Sequence, residues 1–353
     1  MPRGPTLRTA NEQPKESPDT PSVAGRLQEI VSGSWQAQAI YVAAELRIAD
    51  LLAGGPRTSA DLAQATGADE ASLHRLLRAL STIDICREHA DGSFSIMPMG
   101  ALLGADRPDS LRSWAIWWGA YLWPVWGHLL YSVKTGESAR KKLFGSEGFE
   151  HLERDRQAAE VFNEAFREVT RLACQGIVQA YDFSGMKQVA DIGGGYGQLL
   201  VAILRAYPET TGILFDLSHA IDRASRETSL GARCNYISGD FTQNIPPGAD
   251  AYILKNVIHD WNDERARCIL ENCRRVMNAD ARLLVIERIL PEHLKSTASD
   301  QTAVRSDLTM LIAHSGRERT EAEYRDLLDT AGFRVTRIIP TVDSLSIIEA
   351  RPA

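Results

Sequence analysis

The chain has 353 residues, of which 44% are hydrophobic and 24% are charged, and its formal net charge is −7. This length accommodates two domains with separate cores, and the composition is that of a globular protein. The acidic balance argues against nucleic acid as a partner, because affinity for a phosphate backbone depends on clustered Lys and Arg. The five cysteines form no C-x-x-C pair, and neither a secretory signal nor an apolar run of about 18 residues occurs. We therefore expect a cytoplasmic protein with no membrane partner.

Residues 1–22 are predicted to be a disordered tail, because five prolines among polar residues cannot bury a core. Residues 23–180 are predicted to form a helical domain with a winged-helix-like element. In it, a short helix that Gly67 ends precedes a second helix that Asp69 caps. The dipeptide Asp91-Gly92 then turns between two extended segments.

A winged helix makes a regulatory DNA-binding protein one hypothesis for this chain. Its charges argue against that hypothesis, because acids outnumber bases between Thr58 and Asp84. The acids are Asp61, Asp69, Glu70 and Asp84, and the bases are Arg75 and Arg78. A packing role is therefore favoured for this element.

Aromatic residues are concentrated between residues 114 and 126, which hold five of the seven tryptophans. One interpretation is packing in the core or at a dimer interface, where Trp and Tyr are abundant. The alternative is that these rings line the site of a flat aromatic substrate. Farther on, Phe162, Phe166 and Thr170 recur every four residues, so one helix face presents two rings and a hydroxyl group.

From Lys187 onward, strand and helix patterns alternate, which predicts a mostly parallel sheet with helices on both faces. Ligands of such sheets bind at the carboxyl ends of the strands. A short turn around Val342 and Asp343 is predicted to join the last two strands. The predicted strands are 188–193, 211–217, 234–240, 251–257, 282–287, 333–340 and 345–349.

A glycine-dense turn, within V-A-D-I-G-G-G-Y-G, follows the first of these strands. Glycine permits a sharp turn and the close approach of a ligand, because it adopts positive φ without steric cost. The dinucleotide fingerprint G-x-G-x-x-G would require a glycine where the chain has Gln198. The pattern D-x-G-x-G, formed by Asp191, Gly193 and Gly195, fits instead and resembles that of S-adenosylmethionine (SAM)-dependent methyltransferases.

Residues suited to binding such a cofactor stand at the ends of the next strands. The pair Asp216-Leu217 ends the second strand about 20 residues after the glycine turn, where an acid accepts hydrogen bonds from both ribose hydroxyl groups. At the end of the third strand, Asp240 is predicted to accept from the adenine amino group and Phe241 to lie against the base. Lys255, at the end of the fourth strand, is predicted to border the same pocket.

Over residues 25–350 the chain resembles the plant caffeate-type and bacterial antibiotic-tailoring O-methyltransferases, including the mitomycin type. The resemblance rests on D-I-G-G-G, G-D-F, H-D-W-N-D-E, V-I-E-R and G-R-E-R-T-E-A-E-Y. It implies an α/β fold, with a Rossmann-like, seven-stranded SAM-binding domain at 181–353 whose last strand is antiparallel. It also implies an N-terminal, all-α, winged-helix-like domain at 23–180 that dimerises the chain and covers the substrate. The implied cofactor is SAM, the product is S-adenosyl-L-homocysteine (SAH), and no metal is implied.

The resemblance also assigns site residues. His259 is implied to be the general base, with Glu287 and Glu318 flanking and orienting it. The residues assigned to the acceptor pocket are Phe162, Phe166, Asn256, Met310 and His314. His314 stands about where the plant enzymes carry a small amide, so two histidines are candidates for the base, and His259 is the preferred one.

The predicted reaction is an in-line methyl transfer from SAM to a phenolic or enolic hydroxyl group of an aromatic or polyketide-like metabolite. A phenol near pKa 10 and an imidazole near pKa 6.5 differ by about 3.5 units, so deprotonation by a free histidine would cost about 5 kcal/mol. A carboxylate on the far ring nitrogen of His259 would raise its basicity. The alternative is a SAM-binding relative recruited to hydroxylation, decarboxylation or rearrangement.

Overall fold

A helical N-terminal half precedes a C-terminal half that is built on a seven-stranded sheet. The computed structural model describes residues 22–145, 152, 154–227, 230–314, 316–341 and 344–353. The tail predicted at 1–22 lies outside the described residues except for Ser22, which caps the first helix. The turn predicted around Val342 and Asp343 also lies outside them.

The N-terminal half combines short helices with a small sheet, so it is largely helical rather than all-α as expected. Its helices are α1 (Val23–Ser32), α2 (Ser34–Glu45), α3 (Ile48–Leu52), α4 (Ser59–Thr66), α5 (Glu70–Ser81), α6 (Pro98–Ala101), α7 (Arg112–Ile116), α8 (Trp123–Trp126), α9 (Leu129–Thr135) and α10 (Ala139–Phe144). Its strands are β1 (Arg57–Thr58), β2 (Cys86–Glu88) and β3 (Ser93–Ile96), in the antiparallel order β1-β3-β2. A π-helical segment, Trp117–Leu122, joins α7 to α8.

The winged-helix-like element predicted from the sequence is confirmed. Thr58 caps α4 through a reciprocal pair of hydrogen bonds with Asp61, and Gly67 ends that helix in the left-handed conformation. Asp69 caps α5 by accepting a hydrogen bond from a backbone N–H group of its first turn. Strands β2 and β3 pair antiparallel and form the wing.

The long helix α11 (Arg156–Ala180) connects the two halves. Glu168 accepts hydrogen bonds from two consecutive backbone N–H groups of α7, at 3.1 and 2.9 Å. On the other side, Nη1 of Arg167 lies 3.1 Å from Oε2 of Glu227 in the C-terminal half. Although α11 has 25 residues, no helix in the described ranges is both long and apolar enough to cross a membrane.

The C-terminal half alternates strands and helices as predicted. Its strands are β4 (Gln188–Ile192), β5 (Thr211–Asp216), β6 (Cys234–Ser238), β7 (Ala251–Lys255), β8 (Arg282–Glu287), β9 (Ile289–Leu290), β10 (Arg319–Thr320), β11 (Phe333–Pro340) and β12 (Ser346–Pro352). Its helices are α12 (Gln198–Ala206), α13 (Ser218–Glu227), α14 (Asp263–Val276), α15 (Ala298–Ala313) and α16 (Glu321–Thr330). Strands β9 and β10 form a separate parallel pair.

The main sheet has the strand order β11-β12-β8-β7-β4-β5-β6, and β12 runs antiparallel to both of its neighbours. The α/β class, the seven strands and the antiparallel last strand are therefore confirmed. Four strands end one or two residues earlier than predicted, because the residues that follow them leave the ladder and form the turns of the site. These strands end at Ile192, Asp216, Ser238 and Lys255.

Apolar side chains cover both faces of this sheet. Helices α14 and α16 pack on one face, and α11, α12 and α13 pack on the other. The strand order reverses at β4, because β5 and β6 lie on one side of it and β7 on the other. Open α/β sheets bind ligands outside the carboxyl ends of the strands at such a switch point. The end of β4 is therefore where a ligand is expected.

Candidate active site

The backbone turns sharply where β4 ends. Gly193 and Gly195 have φ values of 72° and 57°, a region that glycine enters without strain. A Cβ atom on Gly194 would lie 2.5 Å from Cδ1 of Leu214 and 2.7 Å from Oδ2 of Asp191. The turn therefore has no room for a side chain at this position.

Asp216 joins this turn to the end of β5. Its Oδ2 accepts a hydrogen bond from the N–H group of Gly195, and its Oδ1 accepts one from the N–H group of Leu217, both at 2.7 Å. Burial raises the pKa of Asp216, and the two N–H donors lower it. Each carboxylate oxygen has a further lone pair, so Asp216 can still accept hydrogen bonds from a ligand.

Two charged side chains lie beside the glycine turn. Asp191 is buried, and no described group forms a hydrogen bond with its Oδ2. Burial raises the pKa of Asp191 to about 7, while Lys255 acts in the opposite direction. Lys255 donates a hydrogen bond of 3.0 Å to Oγ1 of Thr170 on α11. A buried carboxylate oxygen that lacks a hydrogen bond suits a donor from a ligand, such as the ammonium group of SAM.

Asp240 and Phe241 follow β6, and the Asp240 carboxylate also stabilises its own turn. Its Oδ1 accepts hydrogen bonds from the N–H group and the hydroxyl group of Thr242, at 2.8 and 2.7 Å. Its Oδ2 accepts one of 3.0 Å from Nε2 of Gln243. The Phe241 ring lies 3.3 Å from where a Cβ atom on Gly193 would be. Phe241 therefore borders the glycine turn. The oxygens of Asp240 would accept hydrogen bonds both from its own turn and from the adenine of a bound cofactor.

His259 is buried between two carboxylates. Its Nδ1 lies 2.9 Å from Oε1 of Glu318 and 3.3 Å from Oε2 of Glu287. Ser306 donates a hydrogen bond of 2.6 Å to the same Oε1 of Glu318. Because an ionised carboxylate only accepts hydrogen bonds, Nδ1 carries the hydrogen, and Nε2 is left to take up a proton.

Glu287 fixes the backbone beneath the histidine. Its Oε1 accepts hydrogen bonds from the three consecutive N–H groups of residues 257–259, at 3.0, 2.9 and 3.3 Å. The φ of 52° at Asn256 turns the chain immediately before them. Glu287 thus holds the backbone of His259, while Glu318 makes the shorter contact with its ring. The sequence left open which of the two acids bonds the ring.

The carboxylates around His259 change its basicity. Burial lowers the pKa of His259, but Glu287, Glu318 and Asp260 outweigh burial and raise this pKa to about 10. Burial raises the pKa of Glu318, but His259 and hydrogen bonds outweigh burial and lower it below its usual range. Burial also raises the pKa of Glu287. With a pKa of about 10, His259 is a much stronger base than a free imidazole.

Asp260 lies near both histidines of the site. Its Oδ1 is 3.6 Å from Nε2 of His259 and 3.7 Å from Nε2 of His314. Both distances are longer than a direct hydrogen bond. Burial raises the pKa of Asp260 to about 7. The carboxylate oxygen and the two ring nitrogens are therefore spaced so that one polar atom of an acceptor could contact more than one of them.

Phe162 and Phe166 pack against the tryptophan-rich segment. Their ring centroids are 4.4 Å apart. The Phe162 ring lies 5.0 Å from that of Trp117, and the Phe166 ring lies 5.9 Å from that of Trp114. The two tryptophans thus lie behind the helix face that the resemblance assigns to the acceptor. We call the rings of Trp114, Trp117, Phe162 and Phe166 the aromatic wall.

Two further residues assigned to the acceptor are buried at least in part. Met310 is buried on α15. Oδ1 of Asn256 is also buried, and no described group forms a hydrogen bond with it. An amide oxygen in this position suits a hydrogen-bond donor on a ligand.

Comparison with known proteins decides the family. The family model for the O-methyltransferase domain matches residues 126–334, and the model for the O-methyltransferase dimerisation domain matches residues 28–105. The chain is a SAM-dependent O-methyltransferase. The family that the sequence motifs indicated is therefore confirmed.

Similar proteins cover almost the whole enzyme. Phenazine O-methyltransferase PhzM of Lysobacter antibioticus is 43% identical over 329 residues, which are 92% of this chain and 95% of that protein. Mitomycin biosynthesis 6-O-methyltransferase of Streptomyces lavendulae is 36% identical over 352 residues, 96% of this chain and 99% of that protein. The crystal structure of LaPhzM matches this O-methyltransferase with a TM-score of 0.91 at 42% identity, covering 94% of this chain and 100% of that one.

The cofactor of this O-methyltransferase is SAM, because crystal structures of similar methyltransferases contain SAM or SAH. The residues at the end of β4 fit this ligand. A Cβ atom on Gly195 would have no heavy atom within 4 Å, so the turn is open at that residue. Asp216 has lone pairs that accept no hydrogen bond from the turn, and no described group forms a hydrogen bond with Oδ2 of Asp191.

Sequence reasoning missed residues that support the base. Asp260, Ser306 and Arg319 were assigned no role in the site from the sequence. Arg319 is fully buried and donates hydrogen bonds to the carbonyl oxygens of Ile258 and Trp261, at 3.1 and 2.8 Å, on either side of His259. The motif G-R-E-R-T contained a signal for Arg319, because this arginine directly follows Glu318, a residue assigned to the site. A charged side chain that is buried there is costly unless it forms hydrogen bonds.

Ligand atoms of His259, Glu287 and Glu318 lie within 4.8 Å of one another, close enough to share a metal ion. An ion bound through Nδ1 of His259 would have to replace the hydrogen that Nδ1 donates to Oε1 of Glu318. We therefore predict that an excess of EDTA leaves kcat unchanged. Activity that EDTA abolishes and Mg²⁺ or Zn²⁺ restores would contradict this prediction.

Proposed function

We propose that this enzyme methylates a phenolic or enolic hydroxyl group of an aromatic or polyketide-like secondary metabolite, with His259 as the general base. One observation carries the proposal. Nδ1 of His259 lies 2.9 Å from Glu318, which fixes the ring and leaves Nε2 to accept the hydroxyl proton. Glu287 and Glu318 are positioning residues, because they act through the histidine.

The acidity of the acceptor is matched to this base. A free imidazole would have to overcome about 5 kcal/mol to deprotonate a phenol. A His259 pKa of about 10 removes most of that difference. An imidazole with this pKa is protonated at neutral pH, so it must lose a proton before it can act. A positive charge on a bound cofactor would lower the pKa of both His259 and the nearby hydroxyl, and would thus preserve the match.

SAM supplies a methyl group on a positively charged sulfur, and its in-line transfer to oxygen yields a methyl ether and SAH. The chain holds the reactants and excludes water, and such positioning can contribute about 7 to 11 kcal/mol to the rate. On the cofactor side we assign the glycine turn with its carboxylates and the rim residue Lys255. These residues are Asp191, Gly193, Gly195, Asp216, Leu217, Asp240, Phe241 and Lys255. A dry aromatic site favours a step in which charge disappears.

Relatives with aromatic acceptors support this substrate class. One is 3-amino-4-hydroxybenzoate 4-O-methyltransferase of Streptomyces cremeus, 35% identical to this chain. In crystals, the O-methyltransferase NcsB1 is seen with 2-hydroxy-5-methyl naphthoic acid. Other relatives methylate nitrogen, such as phenazine-1-carboxylate N-methyltransferase. Oxygen is favoured here, because a neutral amine attacks without prior loss of a proton, whereas a phenol gains most from a buried base such as His259.

We also propose that the enzyme works as a homodimer assembled through residues 23–180. The match to the dimerisation domain supports this assembly. Helix α1 supports it too, because its apolar side chains are exposed in the single chain. Val23, with 91% of its surface exposed, is the most exposed of them. The others are Leu27, Ile30 and Val31. Apolar groups exposed together on one helix are typical of an interface.

The function is tested by incubating the enzyme with methyl-labelled SAM and a panel of phenolic natural products. Each phenol is paired with its own methyl ether as the control acceptor, in which the reactive oxygen is blocked. We expect mass spectrometry to locate the label on a hydroxyl oxygen, and the ethers to stay unlabelled. Label on nitrogen or carbon, or an acceptor that is converted without gaining label, would contradict the proposal.

A further inference from the structure

We propose that Arg223 is a positioning residue that couples the cofactor site to the acceptor site through helix α11. Arg223 lies on α13, the helix that begins two residues after Asp216. Phe162 and Phe166, which are assigned to the acceptor, lie on α11. The inference rests on the proposed function, because it takes α11 as a wall of the acceptor pocket.

Helix α11 passes from one hydrophobic core to another along its length. In its first half, Ala158 and Ala165 pack in the core that contains Trp117. In its second half, Cys174 and Ile177 pack in the core on the sheet. The segment that carries the acceptor residues belongs to the first of these cores. Its position relative to the cofactor site therefore depends on the contacts that join it to the C-terminal half.

Four charged side chains form such a contact between α11 and α13. Nη2 of Arg223 donates a hydrogen bond to Oε1 of Glu164, and Nε of Arg223 donates one of 2.6 Å to Oε1 of Glu227. Nη2 of Arg167 lies 2.5 Å from Oε2 of Glu164, and its Nη1 lies 3.1 Å from Oε2 of Glu227. Each acid thus contacts both arginines. We call these four side chains the charge ring.

Arg223 also contacts the glycine turn. Its guanidinium carbon lies 4.8 Å from the ring centroid of Tyr196, and its Nη1 lies 3.4 Å from the hydroxyl oxygen of that residue. Tyr196 is buried and stands between Gly195 and Gly197 in the turn. The N–H group of Gly195 is the one that Asp216 binds at 2.7 Å. Arg223 therefore contacts both the turn assigned to the cofactor and the helix that carries the acceptor residues.

A second polar contact joins α11 to the cofactor side. Lys255, which is assigned to the cofactor, donates a hydrogen bond of 3.0 Å to Oγ1 of Thr170. Phe166 lies between Glu164 and Thr170 in the sequence. The segment from residue 164 to residue 170 is therefore held from the cofactor side at both of its ends.

The charge ring is suited to setting an orientation rather than to adding stability. Its side chains are between 18% and 40% exposed, so water screens them, and ion pairs of this kind contribute little to stability one at a time. A guanidinium bound by two carboxylates has a fixed plane, however, and can transmit a shift of the glycine turn to α11. If SAM thereby favours acceptor binding, the acceptor must favour SAM by the same factor. The alternative is that the charge ring only stabilises the fold.

The test measures how strongly SAH and the acceptor favour each other's binding. The acceptor is the phenol of the panel that the wild-type enzyme methylates with the highest kcat/KM. By calorimetry, we expect saturating SAH to lower the Kd of the wild-type enzyme for this phenol by on the order of 5- to 100-fold. In Arg223→Gln this factor should fall below about threefold, while the Kd for SAH alone should change by less than about threefold.

Glu164→Gln breaks the same contact from the side of α11. If Arg223 and Glu164 act through each other, the double variant should lose no more of the coupling than either single variant. Arg223→Lys should retain part of the coupling, because it keeps the charge but lacks the planar fork. A purely structural charge ring would lower the unfolding temperature without changing the coupling factor.

Arg226→Gln is the matched control. Arg226 is an exposed arginine of the same helix, and its Nε donates a hydrogen bond of 2.9 Å to the carbonyl oxygen of Asp222 within α13. The substitution removes the same charge from α13, and we expect the wild-type coupling factor. Circular dichroism verifies that each variant is folded. If Arg223→Gln does not fold, Glu164→Gln and Arg223→Lys make the same comparison.

Two results would overturn the role of Arg223 while leaving the proposed function intact. One is a wild-type enzyme whose affinity for the phenol does not change when SAH is bound. The other is a folded Arg223→Gln that keeps the wild-type coupling factor. If the wild-type enzyme methylates no phenol of the panel, the proposed function fails, and the role of Arg223 fails with it.

Discussion

Replacing His259 with Gln is expected to lower kcat by on the order of 10²- to 10⁴-fold, because the variant lacks the group that accepts the phenol proton. Gln can occupy similar space and can still bond to Glu318, which lies 2.9 Å from the ring in the native enzyme. It cannot take up a proton near neutral pH. The affinity for SAM should stay the same, because His259 is not among the residues assigned to the cofactor. The measurements are kcat from product formation and SAH affinity from calorimetry.

His314→Gln is the control for this prediction. His314 is the second buried histidine of the site, and its Nε2 lies 3.7 Å from Asp260. Neither Glu287 nor Glu318 is among its ion-pair contacts, so we expect kcat to fall by less than about tenfold. If His314→Gln loses as much activity as His259→Gln, or if His259→Gln turns over normally, His259 is not the base.

Replacing Asp216 with Ala is expected to raise the Kd for SAH by on the order of 10²-fold or more, because hydrogen bonds to a charged group contribute about 1.5 to 3 kcal/mol each. The variant would lose both bonds predicted for the ribose hydroxyl groups. It would also release the N–H groups of Gly195 and Leu217, which the carboxylate now holds at 2.7 Å. The order of preference among acceptors should not change, since Asp216 is assigned only to the cofactor.

Asp222→Asn is the matched control for the cofactor prediction. Asp222 is an exposed acid on α13, the helix that follows Asp216 in the chain. Its substitution removes the same charge from the same region, and SAH should bind as in the wild type. The Kd of Asp216→Asn for SAH should lie between the values for Asp216→Ala and the wild type, because an amide oxygen can replace one of the two carboxylate oxygens as an acceptor. A normal titration of Asp216→Ala by calorimetry would show that the ribose assignment is wrong.

Most of the fold could be predicted from local sequence patterns. Apolar strands bounded by polar turns predicted the seven strands of the sheet, and the glycine turn predicted a ligand-binding site after the first of them. The last strand, predicted at 345–349, runs over Ser346–Pro352. The other errors, of one or two residues, lie at the carboxyl ends of strands, such as Ser238 and Lys255. There the chain leaves the ladder to form the site, and burial of the strand gives no signal for where this happens.

The partners within the site could not be predicted in the same way. His259 and Glu318 are 59 residues apart, and the choice of Glu318 over Glu287 as the closer ring partner depends on differences of tenths of an ångström. Asp260 follows His259 directly, yet only the turn geometry brings its carboxylate towards His314. Such contacts depend on where side chains point after the elements have packed, and residue type and spacing do not determine this.

The central claim is that His259 removes the proton of the acceptor hydroxyl group. It is tested most directly by the rate of a single methyl transfer to a series of phenols of decreasing pKa, measured with the wild type and with His259→Gln at one pH. We predict that the wild type methylates phenols throughout the series, because its base compensates for weak acidity. The variant should recover activity only with the most acidic phenols, which ionise without help. The same dependence on phenol pKa in both enzymes would contradict the claim.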